Sequence, residues 1–403
     1  VIHVIGAGLA GLAAALDLAE AGHPVQLHEA SPQAGGRARA LPDGTDNGTH
    51  ALVGANTAAL AFLRRIGARD GWVEPEPEGL PVLDLADGSA RRVALSPLAW
   101  GNPALRPAGA SFGAVLAMAR MALPGRDIPI AQAMAAYSAF HRGFVDPLVI
   151  ATLNTPSVEA SSARLGQVLR RLGGPGATQL YVAEHGLGPD LVAPALAAIQ
   201  RAGGTIRHGA RLRRLVQAEG RATALDFGED SILLGRDDQV VLATPPWESQ
   251  RLLTHLEVPA AHAPIVNLHF DRQGPGPVRF VGLLEALCQW VLVRPSGVSV
   301  TVSAGDAEAG QTEAELAPRA WGEILRVAAA FGIPGEWPIK TPPCRLVKER
   351  RATPRHVPGQ SLRPLRKPLA NLALAGDWTW PHLPATIDAA IRSGQAAAAA
   401  LRR

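Results

Sequence analysis

The sequence predicts an α/β chain in which a parallel-sheet domain is interleaved with a mixed α+β domain. Three observations carry this. The first 37 residues read strand, glycine turn, helix, strand. Residues 264–303 hold β-branched runs at strand length. From Leu372 the chain reads strand, loop, helix to its end. At 403 residues it is too long for one simple core, so two intertwined domains are expected.

The opening strand is Val1-Ile2-His3-Val4-Ile5, followed by Gly6-Ala7-Gly8-Leu9-Ala10-Gly11. A helix over Leu12–Ala21 stops at Gly22 and Pro24, and a second strand, Val25–Glu29, ends on an acid before Ala30. Flanked in this way, G-x-G-x-x-G reads as a Rossmann-type dinucleotide site. Gly6 makes the turn, Gly8 lets backbone approach a pyrophosphate, and Gly11 lets the helix pack on the strand. The helix start at Leu9 and Ala10 aims N–H groups and a positive dipole end at the phosphates. Glu29 stands where a carboxylate accepts from ribose hydroxyls, which favours FAD or NAD over NADP.

A turn at Asp43-Gly44 leads to Asp46-Asn47-Gly48-Thr49-His50. A helix is expected over Thr57–Ile66, an exit loop over 74–81, and a hairpin over Val82–Leu95 turning at Asp87-Gly88. Residues 96–145 carry many apolar residues, few acids and all three methionines, Met118, Met121 and Met134. This stretch reads as a helical cap, with a membrane-facing or lipid-collecting surface as the sharper expectation. Asn154 or Thr155 is expected to cap a helix with Pro156 at its first position. A helix follows Asp190 to Arg201. Strands are expected around Ile206, around Leu212–Val216, across 222–234 and at Val240–Ala243. A helix spans Glu313–Phe331, a strand Leu346–Lys348, and the last helix begins at Thr386.

Composition narrows the classes. Apolar content of 47% and charged content of 18% fit a globular chain. The 39 basic residues barely exceed the 35 acidic ones, only three are lysines, and no basic block has interleaved aromatics, so nucleic acid is not an expected partner. Cys288 and Cys344 give neither a disulfide framework nor a metal spacing. Residues 1–5 read as a strand rather than a signal peptide, and no apolar run reaches the roughly 18 residues that span a bilayer. A cytoplasmic location is expected, with peripheral contact on the inner face of a bacterial plasma membrane.

Gly35-Gly36-Arg37, separated from Glu29 by five residues, gives the first unit the pattern of the flavin amine oxidase and carotenoid desaturase superfamily, which it resembles. The C-terminal Leu372–Asp377 strand and Thr386 helix resemble that superfamily's second flavin motif. The resemblance implies a glutathione-reductase-like fold with non-covalent FAD. Gly36 and Arg37 would lie near the diphosphate, with Asn47, Gly48 and Thr49 beside the cofactor. Leu212 would meet the adenine through strand backbone, and Gly376 and Asp377 would meet the ribitol. The helix at Thr386 would face the pyrimidine end. The implied FAD domain is 1–75, 186–260 and 346–403, with 76–185 and 261–345 as substrate domain and cap.

Asp46–His50, Leu153-Asn154-Thr155-Pro156, Arg351-Ala352-Thr353, Gly376–Thr379 and Leu383–Thr386 narrow the likeness. The chain is similar throughout to the squalene-associated FAD-dependent desaturases, now understood as hydroxysqualene dehydroxylases of hopanoid biosynthesis. Thr49 stands where Gln is expected. The implied reaction removes a hydroxyl reductively from an isoprenoid, with NAD(P)H or a partner protein reducing the flavin. Asp46 and His50 are the candidates for the polar catalytic groups, His50 as an acid near neutral pH. Asp146 and Glu159 are weaker candidates. The alternatives are a carotenoid desaturase working oxidatively, an amine oxidase and a non-catalytic escort.

Overall fold

The computed structural model describes residues 1–360 and 366–402. A five-stranded parallel sheet lies at one end, in the order Leu372–Leu374, Gln239–Leu242, Ile2–Ile5, Val25–His28, Thr205–Arg207. All but the exposed edge strand Thr205–Arg207 are largely buried on both faces, which is why those four read as near-continuous apolar runs. Helix Leu9–Glu20 packs on this sheet, and helix Ile387–Leu401 packs on that helix. Small residues make the approach close. A Cβ built on Gly394 would stand 2.1 Å from the Ala10 carbonyl oxygen. Asp388 ties in a third helix, Thr57–Arg65, by accepting the Ala58 and Ala59 N–H groups at 2.8 and 3.0 Å.

A seven-stranded sheet forms the second layer, in the order Cys344–Pro354, His262–Phe270, Gly297–Ser303, Trp290–Arg294, Arg279–Leu284, Leu80–Asp84, Ala90–Val93. Its pairs are antiparallel except for Leu80–Asp84 beside Arg279–Leu284. Alternation sends Val281, Val291 and Val300 against the long helix Glu313–Phe331, where Trp321 is fully buried. Val82, Phe280 and Leu292 face the cap instead. The cap comprises helices Phe112–Arg120, Asp146–Leu153 and Ser162–Leu172. Trp100, Phe140 and Phe144 interlock at its centre, with ring centroids 5.0 to 5.7 Å apart.

Three expectations are corrected. Asn154 does not start a helix; it ends Asp146–Leu153 in the left-handed conformation (φ +46°). Asn tolerates that geometry, so the residue type is shared by helix starts and helix ends. Its side chain latches the cap to the sheet, donating to Thr353 Oγ1 at 3.0 Å and accepting from the Ala304 N–H at 2.6 Å. The next helix is capped by Ser161, six residues beyond Thr155. The strand expected over Leu346–Lys348 runs from Cys344 to Pro354 in the seven-stranded sheet, so the chain re-enters the five-stranded sheet near Leu372 rather than at 346. Leu212 lies just before strand Arg214–Ala218 and not within it; its carbonyl accepts from Arg251 at 2.8 Å.

Candidate active site

The carboxyl ends of the parallel strands open into a cavity of about 1360 Å³ that extends between the seven-stranded sheet and the cap. Pockets for one drug-sized ligand run from about 300 to 1,000 Å³. This volume therefore suits a cofactor together with a substrate.

One end is a glycine cradle. Gly8 bridges Gly35 in parallel, and the Gly35 N–H donates to the Ala7 carbonyl at 2.8 Å. A Cβ on Gly11 would fall 1.9 Å from the Gly6 carbonyl oxygen, so only glycine lets the helix start there. A Cβ on Gly8 meets nothing nearer than the Gly36 Cα at 4.0 Å, on a wall of the cavity. The cradle therefore leaves room for a diphosphate against bare backbone. Leu9 and Ala10 open the helix at the same wall.

Glu29 and Ala30 line this end as expected. The Glu29 carboxylate accepts from the Ala7 N–H at 2.7 Å and from the Ser31 N–H at 2.8 Å. Oε1 also meets the Ser31 hydroxyl at 2.9 Å, whereas Oε2, with Ala7 as its one partner, keeps lone-pair capacity for a ribose hydroxyl. Behind it His28 Nε2 lies 3.2 Å from His3 Nδ1, and its ring stacks on Phe227. Burial lowers the His28 pKa to about 4, so this floor is uncharged near neutrality.

Further along stand Gly36, Arg37, Asn47, Gly48, Thr49 and His50. Arg37 donates to the Ala352 carbonyl and pairs with Asp377. Gly376, Asp377 and Thr386 line the opposite wall. Thr386 caps the last helix by accepting the Ala389 N–H at 3.2 Å, so that helix's positive end faces the cavity. Leu212 lines the cavity too. These residues fit a flavin dinucleotide: glycine backbone for phosphates, Glu29 at one end, Asp377 and a helix N-terminus at the other.

The two catalytic candidates part company. Asp46 is buried behind the wall and is not among the lining residues. Its carboxylate accepts the Leu187 N–H at 2.7 Å and pairs with Arg294 at 3.2 Å. That geometry makes Asp46 a fastening between loop and sheet rather than a proton donor. His50 does line the cavity, with Nδ1 on the Gly48 carbonyl at 3.1 Å. A carbonyl only accepts, so Nδ1 carries the proton and Nε2 is left for substrate. Desolvation lowers the His50 pKa, so it is neutral at pH 7 and not the ready acid expected from its residue type. Asp146 lines the cavity; Glu159 does not, and faces Arg355 at 3.3 Å.

Beyond His50 the cavity becomes an apolar limb walled by Val82, Val115, Met118, Phe144, Leu148 and Phe280. Of the three methionines only Met118 lines it; Met121 and Met134 fill the cap core. Sequence reasoning missed Asn267, Arg294 and Thr301. Asn267 lines the cavity from a buried strand, with Oδ1 accepting from Thr301 Oγ1 at 3.0 Å. A buried Asn inside an apolar strand was a readable signal; the pairing of Arg294 with Asp46 was not.

A glycine cradle, an acid just beyond each of two parallel strands and an oily limb define a flavin-binding oxidoreductase. Residues 9–402 match the family described as flavin containing amine oxidoreductase. A cyclohexylamine oxidase from Brevibacterium oxydans shares the fold at a TM-score of 0.73, with 16% identity over 99% of this chain and 98% of that one. Hydroxysqualene dehydroxylases from Rhodopseudomonas palustris and Sinorhizobium fredii are 38% and 36% identical, each over 98% of this chain and 97% of theirs. A probable zeta-carotene desaturase from Synechococcus elongatus matches over 17% of the chain. The chain belongs to the flavin-containing amine oxidoreductases and, within them, to the hydroxysqualene dehydroxylase family.

Proposed function

We propose that this enzyme binds FAD non-covalently and converts hydroxysqualene to squalene. The observation that carries this reading is the apolar limb continuous with the glycine cradle, which suits a long isoprenoid beside a flavin. The carbon–oxygen bond breaks, the oxygen leaves as water with one added proton, and hydrogen takes its place on carbon. A reduced flavin, once bound, supplies the hydride. The chain supplies the rest. Glu29, Arg37, Asp377 and the Thr386 helix end hold the cofactor, and the walls around Phe144 and Phe280 exclude water from a cationic carbon. His50 Nε2 is the favoured point for handling the proton, with Asp46 holding the loop that carries it. Non-covalent binding is favoured by the thiols. Neither cysteine lines the cavity, and burial pushes the Cys344 thiol up to about 12.

The test is anaerobic. Reduced enzyme is mixed with hydroxysqualene, the flavin spectrum is followed, and the lipid is extracted for mass analysis. Flavin reoxidation with equimolar squalene is expected. Intact substrate beside reduced flavin would reject the proposal and turn attention to oxidised enzyme with carotenoid precursors.

A further inference from the structure

We infer that the outer face of the cap docks on an anionic lipid bilayer, at the rim of the cavity. Among the described residues nine large apolar side chains are exposed, and four of them lie between residues 98 and 123. Leu98 is 91% exposed, Phe112 86%, Leu123 65% and Leu116 40%. Phe112, Leu116 and Leu123 follow one another at helical spacing, so they form one stripe on Phe112–Arg120 and the turn after it. The adjacent stripe of the same helix and turn, Val115, Met118 and Ala122, lines the cavity. The second segment repeats the arrangement, with Leu95 and Pro97 on the cavity and Leu98 outside. Oily surface is therefore continuous from solvent to the site.

Charge selects the occupant. No acidic residue occurs between Asp87 and Asp127. Arg106, Arg120 and Arg126 are exposed there, and exposed Arg170 reaches the Ala122 carbonyl beside Leu123 at 2.6 Å. The Asp127 carboxylate turns inward onto Ser161 Oγ at 2.7 Å and the Ala163 N–H at 3.1 Å. Apolar side chains ringed by cations match the interface of an anionic leaflet. A second copy of the chain would bring these arginines against each other across a twofold interface, so self-association is disfavoured. No helix among the described residues is long and apolar enough to cross a membrane, so the contact is peripheral. The docking stands on these residues alone. That the rim also admits the substrate rests on the dehydroxylase reading.

The flavoprotein is sedimented with vesicles of phosphatidylcholine alone and of phosphatidylcholine with phosphatidylglycerol, at low and high salt, without substrate. Binding to the anionic vesicles, weakened by salt, is expected. The triple variant Leu98→Ser, Phe112→Ser, Leu123→Ser should partition at least about tenfold more weakly, with its flavin spectrum unchanged. Arg120→Gln with Arg126→Gln should flatten the salt dependence while leaving residual binding. Absence of vesicle binding, or equal binding by the triple variant, overturns the proposal. So does a dimer in sedimentation velocity that the triple variant splits while vesicles stay unbound. A protein that binds vesicles but fails to make squalene would leave the docking intact and reject only the substrate.

Discussion

Asp46 and His50 lie four residues apart and are held in opposite ways. The Asp46 carboxylate faces Arg294, itself nearly buried, so removing one partner strands the other. Asp46→Ala should cost about 3–5 kcal/mol, measured by denaturant unfolding. Turnover per bound flavin should change little, and a large loss at normal stability would restore an acid role to Asp46. His50→Ala should keep flavin and lose about 10²–10⁴-fold in kcat. The pH sign follows from its lowered pKa. A protonated imidazole is the acid, and it is lost as pH rises through a value below the ordinary 6.5. Rate through His50 should therefore climb on the acid side of neutrality, and a flat profile would remove it from the proton path.

At the scale of elements, the glycine-rich turn separates two demands that the motif states as one. Gly11 is required by the fold, because a methyl there enters the Gly6 carbonyl. Gly8 has space on the cavity side, so its requirement comes from what lies against it. Gly8→Ala should fold with a near-native melting curve and bind flavin at least about tenfold more weakly by equilibrium titration. Gly11→Ala should fail to give a folded apoprotein. This part of the site was legible because close backbone packing leaves a glycine signature in a short stretch. The buried strands and the helix Glu313–Phe331 were legible for a similar reason, since burial on one or two faces sets a period. The role of Asn154 was not, because Asn is favoured at both ends of helices and only the strand across from it decides. The Asp46–Arg294 pair was hidden as well, because 248 positions separate its members and no local pattern records the contact.

At the scale of the molecule, several histidines are folded away uncharged. Burial lowers His28, His269 and His356 to about 4 each. The unfolded chain binds protons at these sites near the ordinary 6.5, so between about 6.5 and 4 it holds more protons than the folded one. Stability should be complete above that window and decline as pH falls through it. Melting temperature should drop by roughly 5 °C from pH 7 to pH 4.5 in calorimetry. A melting temperature constant over that range would mean these rings are solvated or paired in the folded protein.

The five-stranded sheet also carries a consequence for synthesis. Its two outermost strands on one side, Gln239–Leu242 and Leu372–Leu374, and the helix that packs on Leu9–Glu20 come from much later in the sequence. As the polypeptide leaves the ribosome, the glycine turn appears long before Asp377 and Thr386, which lie far downstream in the sequence. Cofactor loading must then wait until both walls of the site have been made. A ribosome stalled before Leu372 would hold a nascent apoprotein with an uncovered sheet edge, a substrate for chaperones rather than for flavin.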